Sequence, residues 1–202
     1  MKNILKIVFC LLVLAIPSCN QSTEPVSSKS SGVNAYFPLA VGNTWAFKNW
    51  NDQTNSFIDT AISKVITITS VQTIQNRLVY TALDIQFNAK GDTLSKSVNY
   101  FSACDDTLFM LTGDSNIQNK TFSPVAVFNE KGFHIDKVNI NGYNYAVDGE
   151  KNSDSTYSIG YSIIYVVDSD QACIFKKGVG PELYTLYGIG TIKIKLAYYK
   201  LN

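Results

Sequence analysis

Residues 157–167 read Tyr-Ser-Ile-Gly-Tyr-Ser-Ile-Ile-Tyr-Val-Val, and large apolar side chains recur at every second position. Successive side chains of a β-strand point to opposite faces, so an alternation of period two predicts a strand with one buried face. The predicted buried face carries Tyr157, Ile159, Tyr161, Ile163, Tyr165 and Val167, and the opposite face carries Ser158, Gly160 and Ser162.

The same signature recurs along the chain on both sides of this stretch. Residues 79–87 place Val79, Thr81, Leu83, Ile85 and Phe87 on one face, opposite Tyr80, Ala82, Asp84 and Gln86. Residues 192–196 alternate in the same way, and residues 57–71, 94–103 and 108–111 have the β-branched and aromatic bias of strands. No window of ten residues shows a clear helical period, so any helix is expected to be short.

Turn signals separate these candidate strands. Asn141-Gly142, between residues 138–140 and 143–147, is the strongest hairpin signal, because a type I′ turn needs positive φ at both central residues. Asp148-Gly149 is expected to end the next strand. The sequence therefore predicts an all-β protein with a single antiparallel, mostly meandering and strongly curved sheet that forms a barrel or half-barrel. A two-sheet β-sandwich is the alternative.

The N-terminus has the three parts of an export signal. Lys2 and Lys6 precede an apolar run over residues 7–16, which at about ten residues is too short to cross a bilayer as a helix. The sequence Ile16-Pro17-Ser18-Cys19 follows and resembles the bacterial lipobox. That resemblance implies a diacylglyceryl group on Cys19 and cleavage before it. The alternative is an ordinary secreted protein in which Cys19 is an incidental thiol.

These signals divide the chain into three parts. Residues 1–18 are the predicted lipoprotein signal peptide, residues 19–34 are the lipid-anchored Cys19 followed by a Ser-rich flexible tether, and residues 35–202 are a single β domain. Asn20 lacks the acidic character associated with retention at the inner membrane. The predicted location is therefore the bacterial cell envelope, at the outer membrane and facing the periplasm or the surface.

The composition and the number of cysteines further limit the class of protein and its partners. The 202 residues are 46% hydrophobic and 16% charged, which excludes a disordered chain, and the net charge of +1 argues against nucleic acid as a partner. Of the four cysteines, Cys10 leaves with the signal and Cys19 takes the lipid. Cys104 and Cys173 remain and form a predicted disulfide in an oxidising compartment, the alternative being two buried reduced thiols.

Residues 36–45, Tyr-Phe-Pro-Leu-Ala-Val-Gly-Asn-Thr-Trp, resemble the N-terminal signature Tyr-Phe-Pro-Leu-x-x-Gly-Asn-x-Trp of a group of uncharacterised bacterial lipoproteins and exported proteins, many of them from the Bacteroidetes. The resemblance implies an exported, β-rich domain and supplies no catalytic residues. From the residues themselves, Phe37 and Trp45 are expected in the core, and Gly42-Asn43 in a tight turn. Gly178-Val179-Gly180 is expected to form a turn or bulge.

The sequence contains few residues in patterns typical of catalytic or metal-binding sites. His134 is the single histidine, no Gly-x-Ser-x-Gly motif is present, and one imidazole cannot build a histidine-rich zinc site. We therefore expect no catalytic residues, no metal and no cofactor, and no enzymatic activity. A glycan hydrolase remains a less favoured hypothesis, because its two carboxylates are defined by their separation in space and not by a motif.

Aromatic residues are abundant, with 12 Tyr, 11 Phe and 2 Trp. Most are expected to pack in the sheet, and the functional alternative is a ligand-facing set of Tyr36, Trp45, Tyr157, Tyr161 and Tyr165. The first functional hypothesis is a lipid-anchored envelope lipoprotein with a non-catalytic binding or assembly role. The alternative is a periplasmic carrier or sensor of a hydrophobic ligand, which requires a continuous apolar cavity. The expected partners are the membrane, through Cys19, and an envelope protein or an apolar ligand.

Overall fold

The computed structural model describes residues 32–113, 115–140, 142–164, 166, 170–187 and 191–202. In these residues it contains one short helix, α1 (Gly32–Tyr36), one turn of 3₁₀ helix (Ile117–Asn119) and thirteen strands. The strands are β1 (Thr44–Asn51), β2 (Ser56–Phe57), β3 (Lys64–Ile74), β4 (Arg77–Phe87), β5 (Thr93–Cys104), β6 (Thr107–Thr112), β7 (Thr121–Val127), β8 (Phe133–Ile140), β9 (Tyr143–Lys151), β10 (Thr156–Ile163), β11 (Gln171–Lys176), β12 (Gly180–Leu186) and β13 (Ile192–Lys200).

The strands form one antiparallel sheet that curves into a nearly closed barrel. Its order is β7-β6-β5-β4-β3-β1-β13-β12-β11-β10-β9-β8, and β2 pairs only with β1. Almost every strand therefore pairs with its neighbours in the chain, while β1 pairs with β13 and joins the two halves. β7 and β8 lie side by side, but no ladder joins them among the described residues. This unsealed seam is the one break in the wall, and the prediction of a single curved sheet is confirmed over the two-sheet sandwich.

The strongest predicted hairpin is confirmed. β8 and β9 meet at the pair Ile140–Tyr143, and Gly142 has the φ of +91° that the turn requires. The expectation that Asp148-Gly149 ends the next strand is wrong, because β9 continues to Lys151. Gly149 lies opposite Phe133, and a Cβ atom at Gly149 would overlap the Phe133 ring. This glycine therefore allows a ring to approach the backbone and does not make a turn.

The segment before β1 closes one end of the barrel. α1 contacts β5, β6 and β12, which lie on opposite sides of the wall, so this helix lies across the interior. The Val33 side chain is fully buried, and the Tyr36 ring stacks on Phe128 at 5.4 Å between ring centroids. The Phe37 ring packs at 5.4 Å from Trp45 and 5.5 Å from Phe101. Aromatic side chains thus fill the closed end, and Phe37 and Trp45 are core residues as predicted.

Asn43 and Trp45 connect the closed end to the C-terminal part of the chain. The buried Asn43 side chain donates to the Pro38 carbonyl at 2.7 Å and accepts from the Asn202 backbone N–H at 2.8 Å. The Trp45 indole donates to the Val179 carbonyl at 2.5 Å. The tight turn predicted at Gly42-Asn43 is present, with φ of +93° at Gly42. These side chains hold the first strand against the end of the chain.

Replacing Gly180 with alanine tests this contact. Gly180 has φ of +111°, and a Cβ atom there would overlap the Trp45 indole, whereas Gly178 has φ of +73° and open space around it. We expect Gly178→Ala to cost about 1 kcal/mol of unfolding free energy, from backbone strain alone. Gly180→Ala is expected to cost about 2 kcal/mol more, because the overlap adds to the strain. Urea unfolding of both variants measures the difference, and equal losses would contradict the packing argument.

Candidate functional site

The barrel interior contains a cavity of about 240 Å³ that is partly open to solvent. Its apolar and aromatic lining consists of Phe37, Ile66, Ala82, Phe101, Leu108, Met110, Val125, Ile140, Tyr145, Tyr161, Cys173, Phe175 and Tyr184, and its polar lining of Lys64, Asp84, Asn99 and Gln171. The cavity that the hydrophobic-ligand hypothesis requires is therefore present.

The cavity has an apolar floor, and its few polar groups lie in the walls. Phe37, which packs on Trp45 at the closed end, forms the floor. Lys64 pairs on β1 with Phe47, two residues beyond Trp45, so it lies farther from the closed end. Asp84 is on the neighbouring strand, and Gln171, at the start of β11, is exposed. A ligand in this cavity would meet mostly apolar walls with a few charged or amide groups.

Lys64 and Asp84 form an ion pair in the cavity wall. The Lys64 ammonium lies 2.8 Å from Asp84 Oδ2, with only 16% and 14% of the two side chains exposed. The same ammonium is 4.8 Å from the centre of the Tyr184 ring. A pair this buried adds little net stability compared with apolar residues of the same size, because both charges lose their hydration. Its chemical effect is to place two charged hydrogen-bonding groups beside an otherwise apolar space.

The other ionisable groups of the wall stay neutral at pH 7. Burial raises the pKa of Tyr161 and of Tyr184 above the usual value for tyrosine, and burial also raises the pKa of the Cys173 thiol. A thiol is reactive as the thiolate, so Cys173 is a poor nucleophile here. The wall is therefore suited to binding more than to nucleophilic chemistry.

Tyr161 connects the cavity wall across the seam. Its strand, β10, is separated from the seam by β9 and β8, yet the Tyr161 hydroxyl donates to the Val125 carbonyl on β7 at 3.0 Å. Val125 itself lines the cavity. A hydrogen bond through the interior thus joins the two sides of the wall where no ladder does.

The predicted disulfide is not formed in this structure. Cys173 carries a free, buried thiol on β11, whereas Cys104 ends β5. Five strands, β4, β3, β1, β13 and β12, lie between them in the sheet. The two cysteines are on different sides of the barrel, and strand order of this kind cannot be deduced from cysteine spacing.

The predicted ligand-facing aromatics separate into two groups. Tyr161 lines the cavity. Tyr36, Trp45 and Tyr157 instead pack in the closed end, where the Tyr36 and Tyr157 rings are 5.7 Å apart. Tyr165 and the predicted lipidation site Cys19 lie outside the described residues. Sequence reasoning missed Lys64 and Asp84, because they are single charges on two strands and belong to no motif.

His134 lies outside the cavity, on β8. Its Nδ1 is 2.6 Å from Asp148 Oδ1 and its Nε2 is 2.9 Å from Asp136 Oδ1, with about half of the side chain exposed. Within the described ranges, no three histidine, cysteine or acidic side chains come together as metal ligands. None of the helices described is long and apolar enough to span a membrane.

Comparisons with known proteins give two structural neighbours. No protein-family model matches the chain, and no curated protein matches it either. One neighbour is the crystal structure of a predicted lipoprotein from Parabacteroides distasonis, 11% identical, with a TM-score of 0.46. The other is a predicted exported protein with a YmcC-like fold from Bacteroides fragilis, 10% identical, with a TM-score of 0.45. Each comparison covers 82% of this chain and 99% of the neighbour.

Tyr161→Phe tests the hydrogen bond across the seam. The substitution leaves the buried Val125 carbonyl without its donor, so we expect the unfolding free energy to fall by about 1 to 2 kcal/mol. Tyr145→Phe is the matched control, because Tyr145 lines the same cavity and its hydroxyl has no hydrogen bond in the described structure. Chemical denaturation of both variants gives the comparison. A loss no larger for Tyr161→Phe than for the control would show that the bond does not secure the seam.

The His134 contacts predict a pH dependence. The hydrogen bond that His134 donates to Asp148, followed by the one it donates to Asp136, raises the pKa of His134 above its usual 6.5. The contacts therefore stabilise the fold fully below about pH 6.5, and this contribution is lost as pH rises through the raised pKa. Titration of the imidazole by NMR should show Asp148→Asn lowering the pKa more than Asp136→Asn. An unshifted pKa in the unsubstituted protein would contradict the assignment.

Proposed function

We propose that this protein is a lipid-anchored lipoprotein of the bacterial envelope, and that its barrel binds a small, largely apolar molecule without transforming it. The observation that carries the proposal is the cavity of about 240 Å³ with apolar walls and one ion pair. Concave, mostly apolar spaces with a few polar groups are typical of small-molecule sites. The proposal thus combines two hypotheses from the sequence, an envelope lipoprotein with a non-catalytic binding role and a protein that binds a hydrophobic ligand.

The chemistry of the lining supports binding over hydrolysis. A glycosidase needs two carboxyl groups about 5 to 10 Å apart around the substrate. Asp84 is the one carboxylate in the described lining, and it is already engaged by Lys64. The Cys173 thiol in the same lining is kept protonated by burial, which raises its pKa. A carboxylate pair that would support the glycan hydrolase is not found in this cavity.

The export signals support an anchored carrier or sensor. The lipobox-like residues 16–19 place the lipid on Cys19, and the Ser-rich segment up to residue 31 can reach about 45 Å when extended. The two acyl chains of a diacylglyceryl group would hold such an anchor firmly. We place the protein at the outer membrane, where an anchored domain on a long tether could collect its ligand from the periplasm or the surface.

Binding can be measured with N-phenyl-1-naphthylamine, a neutral apolar dye whose fluorescence rises in apolar sites. We expect saturable binding by the mature protein and a loss of affinity of at least tenfold on Ala82→Leu, because Ala82 lines the cavity and the added atoms fill it. Leu94→Phe is the control, since Leu94 is an exposed residue outside the lining. Circular dichroism checks that each variant is folded. Equal dye affinity in the two variants would place the dye outside the cavity.

Lipidation has a separate test. In envelope fractions of a native-like bacterial host, mass spectrometry should find a mature N-terminus at Cys19 that carries diacylglycerol. Cys19→Ala should move the protein from the detergent phase to the aqueous phase of a two-phase separation. A mature N-terminus at any other residue would rule out the lipoprotein assignment and leave the cavity proposal in place.

A further inference from the structure

We propose that the cavity selects an uncharged molecule with an apolar body and a hydroxyl head, and that this hydroxyl binds between Lys64 and Asp84. The inference rests on the proposed function and names its ligand class. It starts from the ion pair, which is the one pair of charges in a cavity wall that is otherwise mostly apolar. A ligand with one apolar and one polar end fits this arrangement in a single orientation.

The Asp84 carboxylate lacks one hydrogen bond. Oδ2 accepts from the Lys64 ammonium at 2.8 Å, whereas Oδ1 is buried and has no hydrogen-bond partner in the protein. A buried carboxylate oxygen without a donor is costly, so a donor brought by a ligand would be favourable. A carboxylate has about four acceptor positions, and the single contact from Lys64 leaves others free on a side chain that lines the cavity. The required head group is therefore a hydrogen-bond donor.

The charges of the pair exclude an ionic head. A carboxylate ligand would lie against Asp84, and an ammonium ligand would lie against Lys64, which is only 2.8 Å from Asp84. Either ion would bring an unbalanced charge into a site whose own charges already cancel, at a large cost in hydration. A hydroxyl group avoids this cost, because it can donate to Asp84 and accept from Lys64 at the same time. The amides of Asn99 and Gln171 line the same cavity and can add neutral polar contacts.

The test compares two isomers that differ in one donor. Octan-1-ol and 1-methoxyheptane have the same atoms, but the ether cannot donate a hydrogen bond. Displacement of N-phenyl-1-naphthylamine from the mature protein should show octan-1-ol binding about tenfold more tightly than the ether. A site built around a hydroxyl group discriminates in this way, because the analogue leaves its polar groups unpaired. Octanoate and octylammonium should both bind more weakly than the alcohol.

The double variant Lys64→Met/Asp84→Leu assigns this preference to the ion pair. Removing both partners leaves no unpaired charge, so the variant should fold, and its alcohol-to-ether ratio should fall to about one. Lys176→Met/Glu182→Leu removes a more exposed pair outside the cavity and should keep the tenfold ratio. Asp84→Asn, which preserves shape, should reduce the ratio and gives a second measurement if the double variant is unstable.

The outcomes separate this inference from the proposed function. Equal binding of alcohol and ether in the unsubstituted protein, an alcohol preference that survives in folded Lys64→Met/Asp84→Leu, or tighter binding of either ion would overturn the hydroxyl assignment while the cavity remains a binding site. Failure of the dye and all four probes to bind would overturn the proposed function together with the inference.

Discussion

The pairing of β1 with β13 is the constraint on which the rest of the barrel depends. Nearly every other ladder joins strands that follow one another in the chain, whereas this ladder aligns Thr44 with Lys200 and Asn49 with Ile194. Closing so long a loop has an entropic cost that local hairpins do not share. Asn43 and Trp45 offset it with hydrogen bonds to the last residue and to Val179. Because only a short loop connects α1 and Phe37 to β1, the same pairing also positions Phe37, the floor of the cavity.

The seam has a physical cause in the two strands that border it. Pro124 lies in β7 and lacks the N–H group that a ladder would need, and β8 has a register shift between Ile135 and Val138. Both features are common on unpaired sheet edges, where they prevent association with other strands. The wall at this point is held by side chains, including the bond from Tyr161 to the Val125 carbonyl. It is the section of the wall that opens with the loss of the fewest backbone hydrogen bonds.

Alternation in the sequence predicted the strands and the single curved sheet, but it could not predict which face of a strand would line the barrel. In β4 the face that the alternation predicts includes Val79. Val79 packs with Ile74 and Leu111 in a small cluster that is separate from the main core. The interior face carries Ala82 and Asp84. In β10 the predicted face is the interior face, yet Tyr157 and Tyr161 differ in role because four residues of strand separate them by about 13 Å. Tyr157 lies in the closed end and Tyr161 in the cavity. A local sequence pattern does not show where along the barrel a residue lies.

The Lys64–Asp84 pair explains why the cavity is more than incomplete packing. In a purely apolar cavity, the binding free energy of an apolar molecule is proportional to the area that it buries. Such a cavity distinguishes poorly among apolar molecules. A pair of charges in the wall makes little difference to stability, but it penalises every occupant that cannot satisfy its hydrogen bonds.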